Sequence, residues 1–280
     1  MQKKLITICA DDFGLHEGIN AACIELATRK RISAISAMVG APAWRDGAKL
    51  LGAFDVTQVD IGLHLDFTEY PIAANSRRSH AALVAFAYAR QLDRALVKSE
   101  IDAQLNAFEH ALGRAPAYID GHQHVHQLPV IRDALIAALS TRYAYAKPWL
   151  RDTRASAGVN GVKPKLIETL GARALRKLAT KNDFPQNNSM LGVYDFQATA
   201  DHFQALLTHW LTAAQSRDLL MCHPSQSIKA NGLHGSMNRT DAILSARIAE
   251  YEFMQSEAFS DMLAEHRVDI VTMSSLCRSA

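Results

Sequence analysis

Residues 4–10 (Lys-Leu-Ile-Thr-Ile-Cys-Ala) form a nearly continuous apolar run, the mark of a strand buried on both faces of a parallel sheet. The run ends in Asp11-Asp12-Phe13-Gly14, and over 17–30 Ile19, Cys23, Ile24 and Ala27 recur at helical spacing. The pattern then predicts a second strand at 34–39, a second helix at 45–54 and a third strand at 58–65, with His64 near its end. This β-α-β-α-β alternation belongs to a parallel α/β fold. Residues 66–80 are polar and irregular, whereas 81–112 are Ala-rich and helical, in two pieces around 91–93. A fourth strand at 118–121 precedes a helix at 128–139 with Pro129 in its first turn.

Strand five is expected at 143–147, a loop at 149–165 and a helix at 166–180, while 184–196 shows no clear period. A helix at 203–214 leads to a short apolar strand at 219–222 and then to His223-Pro224. The segment 225–239, with Gly232 and Gly235, reads as a mobile loop that folds over substrate. Helices at 240–257 and 259–265 and a last strand at 268–272 follow. No repeat, low-complexity tract or linker interrupts the pattern, so one domain is expected over 1–280.

With 280 residues, 49% of them hydrophobic, the chain has ample material for one α/β barrel. Thirty basic and 28 acidic residues leave a formal charge of +2, which argues against nucleic acid or an anionic membrane as the main partner. The four cysteines are scattered, and Cys9 and Cys222 sit inside apolar runs, which favours reduced thiols over a disulfide framework. Neither a signal-peptide core nor a membrane-spanning run is present, so a cytoplasmic location is expected.

Chemistry-bearing residues fall where predicted strands end: Asp11 and Asp12, then His64, then His122, His124 and His126, then His223. In parallel α/β folds that rim is where active sites are built. Singly, each has a plainer explanation: an Asp pair caps a helix, and a lone histidine is usually a hydrogen-bonded core residue. Together they favour a metal site. Two neutral imidazoles and a carboxylate hold a divalent cation on one side, and an adjacent carboxylate stays free as a base. Residues two apart on an extended chain point the same way, so His122, His124 and His126 could converge, unless a turn after Gly121 breaks the alignment.

Ala10-Asp11-Asp12-Phe13-Gly14 followed by Gly18-Ile19-Asn20 resembles the N-terminal signature of the YdjC-like carbohydrate deacetylases. Gly62-Leu63-His64-Leu65, the run Asp120 to His126, and Met221-Cys222-His223-Pro224 resemble its later motifs in order, and Arg247 with Glu250-Tyr251 resembles a helix after them. The resemblance implies a distorted (β/α) barrel of the polysaccharide-deacetylase-like type. It also implies hydrolysis of an N-acetyl group, through a water activated by one divalent cation (Mg2+ or Zn2+), from an oligosaccharide or glycolipid precursor. Carried over residue by residue, Asp12, His64 and His122 are the metal ligands, Asp11 the general base and His223 the general acid. His124 and His126 lie near the substrate. Where many relatives place an Arg before a Pro, this chain has Lys147-Pro148-Trp149, so either Lys147 or Arg151 orients the base. A metal-dependent phosphoesterase or amidohydrolase, and a non-catalytic carbohydrate- or metal-binding protein, are the competing classes. A homodimer is compatible with all of them.

Overall fold

The structure is a computed structural model that describes residues 3–159, 161–197, 199–227 and 241–278. Among them lie eight strands: β1 (Lys4–Phe13), β2 (Ala34–Ala37), β3 (Asp60–Leu65), β4 (Tyr118–Gly121), β5 (Trp149–Leu150), β6 (Met190–Leu191), β7 (Leu219–Cys222) and β8 (Val268–Ile270). They pair in parallel in the order β5-β4-β3-β2-β1-β7-β6, with β8 beside β1. The sheet curls into an incomplete barrel, and single parallel bridges, Leu150 to Gln186 and Ala155 to Met190, span the gap between the β5 and β6 sides. The expected fold class is therefore the one observed.

β1 is the axis of the sheet, and its apolar sequence follows from burial on both sides. One of its edges is shared end to end by two partners. Lys4 N–H bonds to Arg267 O and Val271 N–H to Ile6 O on the β8 side, and Ser33 N–H to Ile8 O where β2 takes over. The opposite edge carries Arg217 N–H to Leu5 O and Thr7 N–H to Asp218 O, leading into β7. The helices Glu17–Thr28, Arg94–Leu112, Ile131–Arg142 and Ala200–Ala213 bury Leu26, Phe108, Leu135 and Phe203 in the core. None of the described helices is long and apolar enough to cross a membrane.

Helices His80–Tyr88 and Arg94–Leu112 reproduce the expected break, because Asp93 caps the second by accepting from the N–H groups of Ala95 and Leu96. Strand five is not at 143–147. Tyr143 is buried at the end of helix Ile131–Arg142 and Tyr145 is fully exposed, so the Tyr-Ala-Tyr-Ala alternation builds no sheet face. The strand forms two residues later, where Trp149 N–H bonds to Ala117 O. The helix at 128–139 begins only at Ile131, after Pro129 and a left-handed Val130. The helix at 166–180 starts earlier, as Val162–Ile167, and is interrupted by a wide turn at Glu168–Ala172, where Gly171 has φ 129°, before Arg173–Lys181. A final helix, Met273–Arg278, follows β8 where only the strand was expected. Most of the loop read at 225–239 lies outside the described residues.

Candidate active site

Both aspartates at the end of β1 face one cavity of about 580 Å3 at the carboxyl ends of the strands. Neighbouring residues on a strand normally point to opposite faces. Here Asp12 takes a left-handed conformation, φ 67°, which Asp tolerates better than most residues, and this brings the two carboxylates to the same side. Asp12 Oδ1 lies 2.9 Å from His122 Nδ1 and 3.4 Å from His64 Nε2. Its other oxygen accepts from Arg247 Nη2 at 2.6 Å, and Arg247 Nε in turn donates to Asp241.

His64 sits opposite Asp120 in the β3–β4 register, and its Nδ1 lies 2.7 Å from Asp120 Oδ1. With Nδ1 as the donor, Nε2 is left facing Asp12, the arrangement that presets a histidine for metal ligation. Ligand atoms of Asp12, His64 and His122 all lie within 4.8 Å of one another. Burial opposes protonation of His64, yet Asp120 and Asp11 outweigh it and push the ring up to about 10. A pocket that negative favours positive charge, and two imidazoles with one carboxylate are the donors a divalent cation takes. The residues present therefore fit such an ion.

The three histidines after β4 do not converge. Gln123 and His124 adopt φ 51° and 60° inside the short turn His122–Gln127, so the extended alternation ends at Gly121. A Cβ on Gly121 would stand 2.9 Å from His126 N, which is how closely the chain folds back. His122 points at Asp12, and His124 lines the cavity with its Nδ1 lacking a hydrogen-bond partner among the described residues. His126 departs from its expected place near the substrate. It is fully buried, its Nε2 is 3.1 Å from the Arg151 carbonyl oxygen, and it does not line the cavity.

Arg151, not Lys147, grips Asp11. Its two terminal nitrogens donate to Oδ2 at 2.7 Å and Oδ1 at 2.6 Å, a bidentate fork. Lys147 instead donates to Asn182 O and covers the Phe184 ring. Burial favours the neutral form of Asp11, but the guanidinium outweighs it and holds the carboxyl well below the usual carboxylate range. Asp12 is held low in the same way, by Arg247 and His122 against burial. Cys9, Asp11 and Asp120 also cluster closely, and Arg151 Nη2 reaches all three, so that cluster already holds a cation.

His223 follows β7 and places Nε2 4.0 Å from Asp11 Oδ2, with its ring edge-on to Phe196. Burial draws it down to about 4, against the pull of Asp12 and Asp11. Its backbone N–H donates to Glu250, which also accepts from Tyr194 Oη. Burial raises Glu250 to about 7, against those two donors and Arg247. Arg247 and Glu250 lie on a helix and escape a strand-end reading of the sequence, whereas Asp120 sits at the end of β4 where such a reading looks. The available signal is that Arg247 and Glu250 are three apart on one helix, so two charges share a face that is buried.

The family model described as YdjC-like protein matches residues 5–265. A human protein named carbohydrate deacetylase is 29% identical over 147 residues, 48% of this chain and 45% of its own length. A chitooligosaccharide deacetylase of Enterobacter sp. (strain 638) is 30% identical over 161 residues, 55% of this chain and 62% of its own length. The match thus spans less than two thirds of either relative. Among solved structures, an Enterococcus faecalis V583 protein provisionally described as a cellobiose-phosphate cleavage protein superposes with TM-score 0.66 at 21% identity, over 98% of this chain and 99% of that one. The Bc1960 peptidoglycan N-acetylglucosamine deacetylase superposes with TM-score 0.51 at 10% identity, over 98% and 87% of the two chains. At such identities these two structures speak for the fold.

Proposed function

The chain belongs to the YdjC-like family, and from that premise we propose that it is a metal-dependent hydrolase removing an N-acetyl group from a carbohydrate, an oligosaccharide or a glycolipid precursor. The observation that carries this reading is the pairing of the Asp12–His64–His122 donor set with a second carboxylate, Asp11, clamped and ionised beside it. A binding protein has no need of the second carboxylate. In this reading the three donors hold one divalent cation, magnesium or zinc, and the 1–280 chain acts as a single domain. Four unpaired cysteines support a reducing, cytoplasmic setting.

Bound there, such an ion would polarise the acetamide carbonyl and lower the pKa of water beside it. Asp11 accepts the proton of the attacking water. The fork from Arg151 keeps it ionised and fixes both oxygens, and it also makes Asp11 a weak base that gives its proton up readily. His223, neutral in the free site and with Nε2 4.0 Å from Asp11 Oδ2, is the group within reach of that proton. It then protonates the departing amine, which leaves poorly as an anion. His124, which lines the cavity, contacts the sugar. The test is acetate release from N-acetylated sugars, including chitooligosaccharides, with and without added Mg2+ or Zn2+. Metal-stimulated release is expected, whereas retained metal with no release from any sugar would make this a binding protein.

A further inference from the structure

We propose that Asp120 is a positioning residue that ties the metal-ligating half of the site to its proton-accepting half, an inference that rests on the ligand and base roles proposed above. Asp120 is fully buried on β4, between β3, which carries His64, and β5, which Arg151 directly follows. Oδ1 faces His64 Nδ1 at 2.7 Å, and Oδ2 takes Arg151 Nη2 at 2.5 Å and Ser36 Oγ at 2.7 Å. His64 leads on to Asp12, and Arg151 leads on to Asp11. One carboxylate therefore sets the tautomer and ring angle of a metal ligand with one oxygen, and the angle of the guanidinium fork with the other.

The nitrogens of Arg151 show why the second contact matters. Nη1 donates to Asp11, whereas Nη2 is divided among Asp11, Asp120, Cys9 and Ser36, and Nε has no partner among the described residues. The fork is thus braced through Nη2, and Asp120 is the charged brace besides Asp11 itself. A residue serving only to fill space would not need both oxygens matched to donors in two functional chains. Tyr118 Oη completes the surround by bonding to Ser36 Oγ at 2.7 Å, which holds the hydroxyl on Asp120.

The test compares wild-type protein with Asp120→Asn, which keeps the shape and removes the charge. Calorimetric titration with Mg2+ or Zn2+ is expected to show affinity lower by about 10–100-fold, the usual cost of losing the group behind a ligating histidine. At saturating ion, hydrolysis of an N-acetylated chitooligosaccharide is expected to lose about tenfold or more in kcat with KM unchanged, because the fork on Asp11 loosens. Wild-type affinity in the variant overturns the proposal, and so does weakened affinity with full kcat at saturation, since one link is then missing. A wild-type protein that binds neither ion overturns the ligand set itself and the proposal with it. Should Asp120→Asn fail to fold, nitrogen NMR of ion-loaded wild-type protein decides. His64 protonated on Nδ1 supports the proposal, and His64 protonated on Nε2 overturns it.

Discussion

Two adjacent carboxylates with different partners should fail in different ways. Asp11→Asn keeps the side chain's shape and one of the two acceptors that Arg151 grips but cannot accept a proton, so metal binding is expected to survive while turnover falls by about 10²–10⁴-fold. Asp12→Asn removes the one negative charge of the three-donor cluster and turns an NH2 toward either the ion or Arg247, and metal and activity should go together. Calorimetry and acetate release on both variants check this, and the reverse outcome would exchange the two roles. Glu250 offers a separate test in pH. Burial raises it to about 7, so the folded state prefers the neutral acid. Its contribution to stability is complete below the ordinary Glu range and is lost as pH rises through about 7. The thermal midpoint of the wild-type protein should therefore fall relative to Glu250→Gln between about pH 4.5 and 8. A constant difference would mean that the carboxyl is ionised in the fold. At this scale the sequence shows which residues gather, because polar side chains at the ends of parallel strands share one rim. It does not show which pairs touch. Asp11 and Arg151 are 140 positions apart, and nothing in the spacing separates Arg151 from Lys147 as its partner. His126 misled for a local reason, two left-handed residues that no periodicity announces.

Among the elements, long regular patterns were legible and two-residue strands were not. β1, β4 and β7 stand out as apolar runs with polar ends, whereas β5 and β6 are two residues each and carry no period to read. What locates β5 is packing: the Trp149 ring stacks on Tyr118 at 4.0 Å and 11°, and its Nε1 donates to Asp60. Gly62 on β3 makes room for that stack, since a Cβ there would meet the Tyr118 ring at 2.5 Å. Gly62→Ala is therefore expected to destabilise the fold by about 1–3 kcal/mol, the usual cost of overpacking a filled core. Urea unfolding measures this, and a loss within about 0.5 kcal/mol would show that the ring yields freely. Because Tyr118 Oη also bonds to Cys9 and Ser36, the same change should reduce turnover in the protein that remains folded.

For the molecule as a whole, the parallel α/β class was readable from the alternation of apolar runs and helical spacings, but the way β8 returns to β1 was not, since pairing partners leave no mark in a strand's own composition. That return sets a timetable. β1 is synthesised before any strand it pairs with, yet its Lys4–Ile6 segment has no neighbour on one edge until Val268–Ile270 exists. The chain leaving the ribosome must carry an open strand edge until residues 268–270 have been made. Pairings this distant in sequence are slow to form, and an edge left waiting invites association with other chains. A version stopped after residue 265 is therefore expected to accumulate in the insoluble fraction or on chaperones, even though every residue of the proposed catalytic centre has already been made. Soluble, cooperatively unfolding protein from that truncation would show that β7 and β2 alone suffice to hold β1.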